Sequence, residues 1–131
     1  MKFYIKIEEL NDFKSVNSKL NINDINILHV NIRSLNSNFE NLEILLRKLL
    51  IAPSIIICSE TWFLPCPQYY ELENYILYYN NSTVNKADGS VIFVGKSLTH
   101  DMSIDDISNT KFLNTTIKLK DKNLKITSTY R

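Results

Sequence analysis

The chain has 131 residues, with 15 Lys and Arg against 14 Asp and Glu, a formal net charge of +1. Hydrophobic residues make up 44% and charged residues 22%, the balance of a globular domain rather than a disordered or fibrous one. Such a length buries one core and leaves little for a second, and near-neutral charge means that any contact with nucleic acid must come from a local patch.

Cys58 and Cys66 make neither a disulfide framework nor a zinc signature. Cys58 lies in an apolar run and reads as a buried, inert thiol. Charges interrupt the start from Met1 to Glu9, so it is no signal peptide. No window approaches the roughly 18 consecutive apolar residues of a membrane-spanning helix. An intracellular, reducing compartment with no membrane contact is therefore expected, and the N-x-[ST] sequons at Asn80, Asn81 and Asn114 read as chance matches.

Residues 1–24 form a polar leader, with a short helix expected from about Ile7 to Leu20. Ile25-Asn26-Ile27-Leu28-His29-Val30 is β-branched and apolar, hence a strand. A helix follows. Ser37 and Glu40 have the spacing of a capping box, and Phe39, Leu42, Leu46 and Leu49 recur at helical intervals. Glu40 and Glu43 stand toward its positive end and Arg47 and Lys48 toward its negative end, and Pro53 closes it. Ile55-Ile56-Ile57-Cys58 reads as a strand covered on both faces.

Strand, helix and strand make a βαβ unit with parallel strands. Both strands then end on one edge of the sheet, which brings Asn31 and Glu60 together where α/β sheets usually bind ligands. Thr61 to Pro67 is an aromatic and proline loop. Tyr75–Tyr79 and Ser90–Val94 read as strands, the second entered through Asp88-Gly89, and residues 99–110 as a polar loop. Alternating Leu113, Thr115, Ile117 and Leu119, then Leu124, Ile126, Ser128 and Tyr130, predict a hairpin across Asp121-Lys122-Asn123. The class is α+β: one βαβ unit followed by mainly antiparallel strands, in a mixed sheet with an incomplete second layer.

Gly95-Lys96-Ser97 hints at a phosphate-binding P-loop, but the required glycine five places earlier is Ser90. His29 alternates with apolar strand positions and reads as structural. His100, near Asp101, Asp105 and Asp106, reads as part of a solvated acidic loop. The carboxylate of Glu60 with the amide oxygen of Asn31 suits Mg²⁺, a hard cation that takes oxygen ligands and keeps several waters. Spacing alone also admits the plainer reading, with Asn31 capping a turn and Glu60 a surface carboxylate.

The segments Ile27–Leu35, with Asn31-Ile32-Arg33-Ser34-Leu35, and Ile55–Trp62, with Ser59-Glu60-Thr61-Trp62, resemble the start of the endonuclease/exonuclease/phosphatase superfamily. The forms N-x-R-S-L and S-E-T-W are similar to the apurinic-type endonuclease domain of non-LTR retrotransposons. Asp88–Val94 resembles that family's glycine-rich strand, and Thr129-Tyr130-Arg131 its Y-R-P segment. The resemblance covers residues 25–131 and implies the N-terminal portion of a four-layer, DNase I-like α/β sandwich, lacking its C-terminal half.

It implies that Glu60 is the principal Mg²⁺ ligand, with Mn²⁺ as a substitute, and that Asn31 positions metal and scissile phosphate. Tyr130 would contact that phosphate, and Arg33, where many relatives carry an acid, would hold a DNA phosphate. Trp62 and Phe63 either line the DNA groove or pack under their loop. The implied partners are DNA and, in the parent protein, a reverse transcriptase domain; no small-molecule cofactor is expected, and a working enzyme would act in the nucleus. The implied activity is Mg²⁺-dependent hydrolysis of DNA phosphodiester bonds, nicking a target site.

The G-D-F-N and S-D-H segments, which carry the nucleophile and leaving-group machinery, do not occur in these 131 residues. A poor nuclease is therefore expected of the chain alone, because general-base catalysis is worth about 10²–10⁴-fold. The alternatives are a non-catalytic remnant of a retroelement, and a relative acting on abasic DNA or a phosphorylated small molecule.

Overall fold

The computed structural model describes residues 2–4, 25–80, 88–107 and 110–129. The expected βαβ unit is present. Strand β2 (Ile27–Asn31) leads into helix α1 (Leu35–Arg47), which returns to β3 (Ile55–Ser59), and β2 and β3 pair in parallel with Asn31 opposite Ser59. A short strand β1 (Lys2–Tyr4) adds to β2 in parallel. The helix expected from Ile7 to Leu20 lies outside the described residues.

Helix α1 begins earlier than its capping-box spacing predicts. Ser34 is the N-cap and its Oγ accepts from the Ser37 backbone N–H at 3.2 Å, so Ser37 is already inside the helix. The three-residue shift moves Glu40 out of the first turn, which carries no acid, while Arg47 stays in the last turn. Leu35, Leu42 and Leu45 are the buried face.

Two antiparallel strands, β4 (Tyr75–Asn80) and β5 (Ser90–Gly95), complete the first sheet in the order β1-β2-β3-β5-β4. One face carries Leu28, Val30, Ile56, Cys58, Val91 and Phe93 under α1. The other face, with Ile55, Ile57, Ile92 and Val94, packs on Leu113 and Ile117 of a second sheet. Strands β3 and β5 are buried on both faces, as their unbroken apolar runs demand. Helix, mixed sheet and antiparallel sheet stack as three layers, an α+β architecture consistent with part of a DNase I-like sandwich.

The second sheet is β6-β7-β8, with β6 (His100–Ile107), β7 (Thr110–Lys118) and β8 (Asn123–Thr129) all antiparallel. The β7–β8 hairpin is the expected one. Strand β6 corrects the polar loop predicted for residues 99–110. Its Asp and Ser residues are poor strand formers, yet backbone pairing with β7 holds them. Asn114, buried at mid-strand, donates to the Asp105 carboxylate and accepts from Thr127 Oγ1 at 2.8 Å, a polar ladder across all three strands. His100 stands in this strand and not in a solvated loop. Its Nδ1–H donates to Leu98 O and its Nε2 meets the Tyr78 hydroxyl, each at 2.8 Å, which ties the two sheets together.

Gly95 ends β5, and Lys96–Leu98 turn directly into β6, so no phosphate-binding helix follows the Gly-Lys-Ser run. No helix among the described residues is long and apolar enough to cross a membrane.

Candidate active site

The parallel register sets the site. With Asn31 opposite Ser59, the next residue of each strand leaves the sheet at the same edge. There the two departing loops are stitched backbone to backbone: Ile32 N–H to Ser59 O at 3.0 Å, Ser34 N–H to Glu60 O at 2.8 Å, and Leu35 N–H to Thr61 O at 3.0 Å. A third segment joins them, because Thr61 N–H donates to Gly89 O at 3.3 Å.

These loops hold unusual backbone. Arg33 (φ 46°), Ser34 (φ 82°), Glu60 (φ 52°) and Trp62 (φ 63°) all have positive φ. Such conformations cost a side-chain-bearing residue about 1–3 kcal/mol each and persist only where the surroundings over-determine them. Gly89 (φ 106°) completes the edge for a steric reason. A Cβ there would stand 2.8 Å from Thr61 Oγ1, 3.2 Å from Trp62 O and 3.3 Å from Asn80 O.

Within this frame the Asn31 side-chain amide donates to Glu60 Oε1 at 2.9 Å. A hydrogen bond to a carboxylate is stronger than a neutral one. It also orients both groups: the Asn31 nitrogen faces Glu60, so its amide oxygen is turned to serve elsewhere. Asn31 is exposed and Glu60 half-buried, which leaves the pair reachable from solvent. Asn31, Ser59, Ser90 and Asn80 occupy one rung across β2, β3, β5 and β4. His29 Nε2 meets Ser59 Oγ at 3.1 Å behind that rung, in keeping with a structural histidine.

Of the residues singled out from sequence, the structure joins Asn31 to Glu60 and puts Arg33, exposed, in the same loop. Tyr130 lies outside the described residues. Trp62 (44% exposed) and Phe63 (55%) do not pack under their loop; Leu64, at 1%, is the residue that does. The Cys58 thiol is fully buried, and loss of hydration pushes it up to about 12, so it stays protonated and inert.

The supporting roles of three residues were not read from the sequence, although two of them, Ser34 and Gly89, lie in the motifs it singled out. Ser34 caps the helix while donating its N–H to Glu60 O, and Gly89 supplies the close approach just described. Asn38, in the first turns of α1, directs its side-chain NH₂ at the carbonyls of Ile32 (2.9 Å), Arg33 (3.0 Å) and Ser34 (3.4 Å). Its Oδ1 accepts from Asn41 Nδ2 at 3.1 Å, which fixes the way the amide faces. The available signal was chemical: an asparagine early in a helix, four residues past a serine cap, carries an NH₂ that can donate back to the carbonyls of the preceding loop.

Among the described residues no group of three or more His, Cys, Asp or Glu side chains comes together. The Glu60 carboxylate, held by the Asn31 NH₂, is a single hard oxygen donor of the kind that would suit Mg²⁺, which binds through one or two carboxylates and otherwise keeps water or phosphate oxygens.

No protein-family model matches the chain, and no curated protein matches it. Among solved structures it is similar to the crystal structure of truncated TDP2 from Caenorhabditis elegans, at 13% sequence identity and a TM-score of 0.45. That match takes in 92% of this chain and 39% of the other, so the chain spans about two fifths of the length of that structure.

Proposed function

We propose that this chain is the N-terminal part of a Mg²⁺-dependent DNA endonuclease domain of the kind that nicks target DNA for a non-LTR retrotransposon. The observation that carries the reading is the 2.9 Å contact between Asn31 and Glu60 at the strained carboxyl edge. It joins the two motifs, N-x-R-S-L and S-E-T-W, whose resemblance to that family is the closest in the sequence.

In this reading the Glu60 carboxylate would hold the metal, and the Asn31 NH₂ orients that carboxylate. When bound, Mg²⁺ supplies charge stabilisation to the non-bridging oxygens of a phosphodiester. The chain's own residues do the rest. Asn31 keeps the Glu60 carboxylate from rotating away, and Arg33 offers a guanidinium to a backbone phosphate. Trp62 and Phe63 present ring faces against which a sugar or an unstacked base can rest. The water-activating Asp–His pair of the family is absent from these residues, so slow turnover is part of the proposal.

Supercoiled plasmid incubated with the chain in Mg²⁺ tests it. Slow conversion to the nicked circle, abolished by Glu60→Gln and by chelation, is the expected result. Nicking that survives Glu60→Gln would overturn the assigned metal ligand.

A further inference from the structure

We propose that Asn38 is the positioning residue that holds the Asn31–Ser34 loop in its functional form; this rests on reading that edge as a metal and phosphate site. The loop turns through two consecutive positive-φ residues, Arg33 and Ser34, between the proposed metal ligand and the helix. The Ser34 side chain caps the helix, and the carbonyls that precede it need a partner of their own. The two hydrogens of the Asn38 side-chain NH₂ serve the carbonyls of Ile32 and Arg33, while Ser34 O, 3.4 Å from the same nitrogen, accepts the Asn38 backbone N–H at 3.1 Å. Asn41 in turn holds the Asn38 amide from behind.

Two consequences reach the site. Ile32, whose carbonyl is held, is the residue next to Asn31, so the clamp restrains the chain one residue from where the Asn31 amide reaches Glu60. The Arg33 carbonyl is held too, which fixes the direction in which its exposed guanidinium leaves the chain. Asn38 itself contacts neither Asn31 nor Glu60 through a side-chain hydrogen bond, so its influence passes through the loop.

Asn38→Asp separates this role from plain structural support. The carboxylate has the shape of the amide but no hydrogens, and it would face three carbonyl oxygens. Its charge sits near the positive end of α1, where an acid supports the helix. The variant should therefore keep its helix while the loop opens. Asn38→Ala, which removes the polar group without adding charge, is the second variant.

Amide exchange and Mn²⁺ titration, followed through Trp62, the only tryptophan, read the two effects. In both variants the Ser34 amide should exchange at least tenfold faster than in the unsubstituted chain, with Leu42 and Leu45 unchanged. Mn²⁺ affinity should fall at least fivefold. Unchanged Ser34 exchange overturns the clamp. Faster exchange with unaltered Mn²⁺ affinity shows a structural bond only, and overturns the positioning role. Failure of the unsubstituted chain to take up Mn²⁺ strikes the metal reading instead, and the exchange comparison still decides whether Asn38 holds the loop.

Discussion

The first sheet ends in two very different ways. At the carboxyl edge of β2 and β3, four of the five non-glycine positive-φ residues among those described are gathered, and three backbone segments are stitched into one surface. At the opposite edge the only such residue is Asn74, and the chain encloses a hollow of about 550 Å³ lined by Glu43, Arg47, Ser54, Leu72, Tyr75 and Leu98. The hollow offers room and polar groups, but Asn74 stands there as a single positive-φ residue among those described, with no second one to converge on a common point. Space alone is what loosely meeting elements leave behind; strain held by hydrogen bonds marks a geometry that the fold maintains.

Alkaline unfolding separates the two ends and has the largest expected effect. Cys58 sits one rung from the carboxyl edge and Tyr75 at the other edge, where its hydroxyl donates to Pro53 O. Burial pushes each up to about 12, from 9.0 for the thiol and 10.0 for the phenol. Above those ordinary values the unfolded chain has lost a proton that the folded chain still keeps, so stability falls as pH rises. The loss begins near pH 9 at about 1.4 kcal/mol per pH unit from Cys58 alone, and Tyr75 adds a smaller decline above pH 10. In urea titrations across this range, Cys58→Ala should remove the earlier slope and Tyr75→Phe the later one. A slope unaffected by either substitution would locate the sensitivity elsewhere.

The two glycines of the chain sharpen the comparison next. Gly89→Ala should destabilise by roughly 3 kcal/mol, since it adds left-handed strain to a clash with Thr61 and two backbone carbonyls. At the relaxed edge Gly95 has ordinary backbone, and a Cβ would meet only Ser54 O, at 3.1 Å. Gly95→Ala should cost roughly 1 kcal/mol. Equal losses in denaturant titrations would deny any special constraint at the carboxyl edge. Of similar size, Ser34→Ala removes the N-cap and should cost about 1 kcal/mol, with the loss visible as faster exchange of the Ser37 amide.

The sequence made the frame of this edge legible and hid what holds it. Apolar runs at Ile27–Val30 and Ile55–Cys58 around a helical repeat are strong signals, and parallel pairing follows from the crossover, so Asn31 and Glu60 could be brought together from spacing. The helix start was displaced because Ser37 and Glu40 have the capping-box spacing, whereas the actual cap, Ser34, is followed at its third position by Ser37 and by no acid in the first turn. Strand β6 was invisible because its pairing partner, not its own Asp- and Ser-rich sequence, makes it a strand. The exposure of Trp62 and Phe63 depends on which way one left-handed residue turns the chain, and Leu64 takes the buried place. Gly89 and Asn38 act through contacts with segments distant in sequence or through backbone carbonyls, and neither leaves a periodic trace.

The most direct test of the carboxyl edge as a metal site is a Mn²⁺ titration followed by quenching of Trp62, two residues from Glu60. Glu43→Gln, in the opposite hollow, serves as the control. Saturable quenching in the unsubstituted chain and in Glu43→Gln, lost in Glu60→Gln, is the predicted result. Quenching that persists in Glu60→Gln, or that disappears with Glu43→Gln, would contradict it.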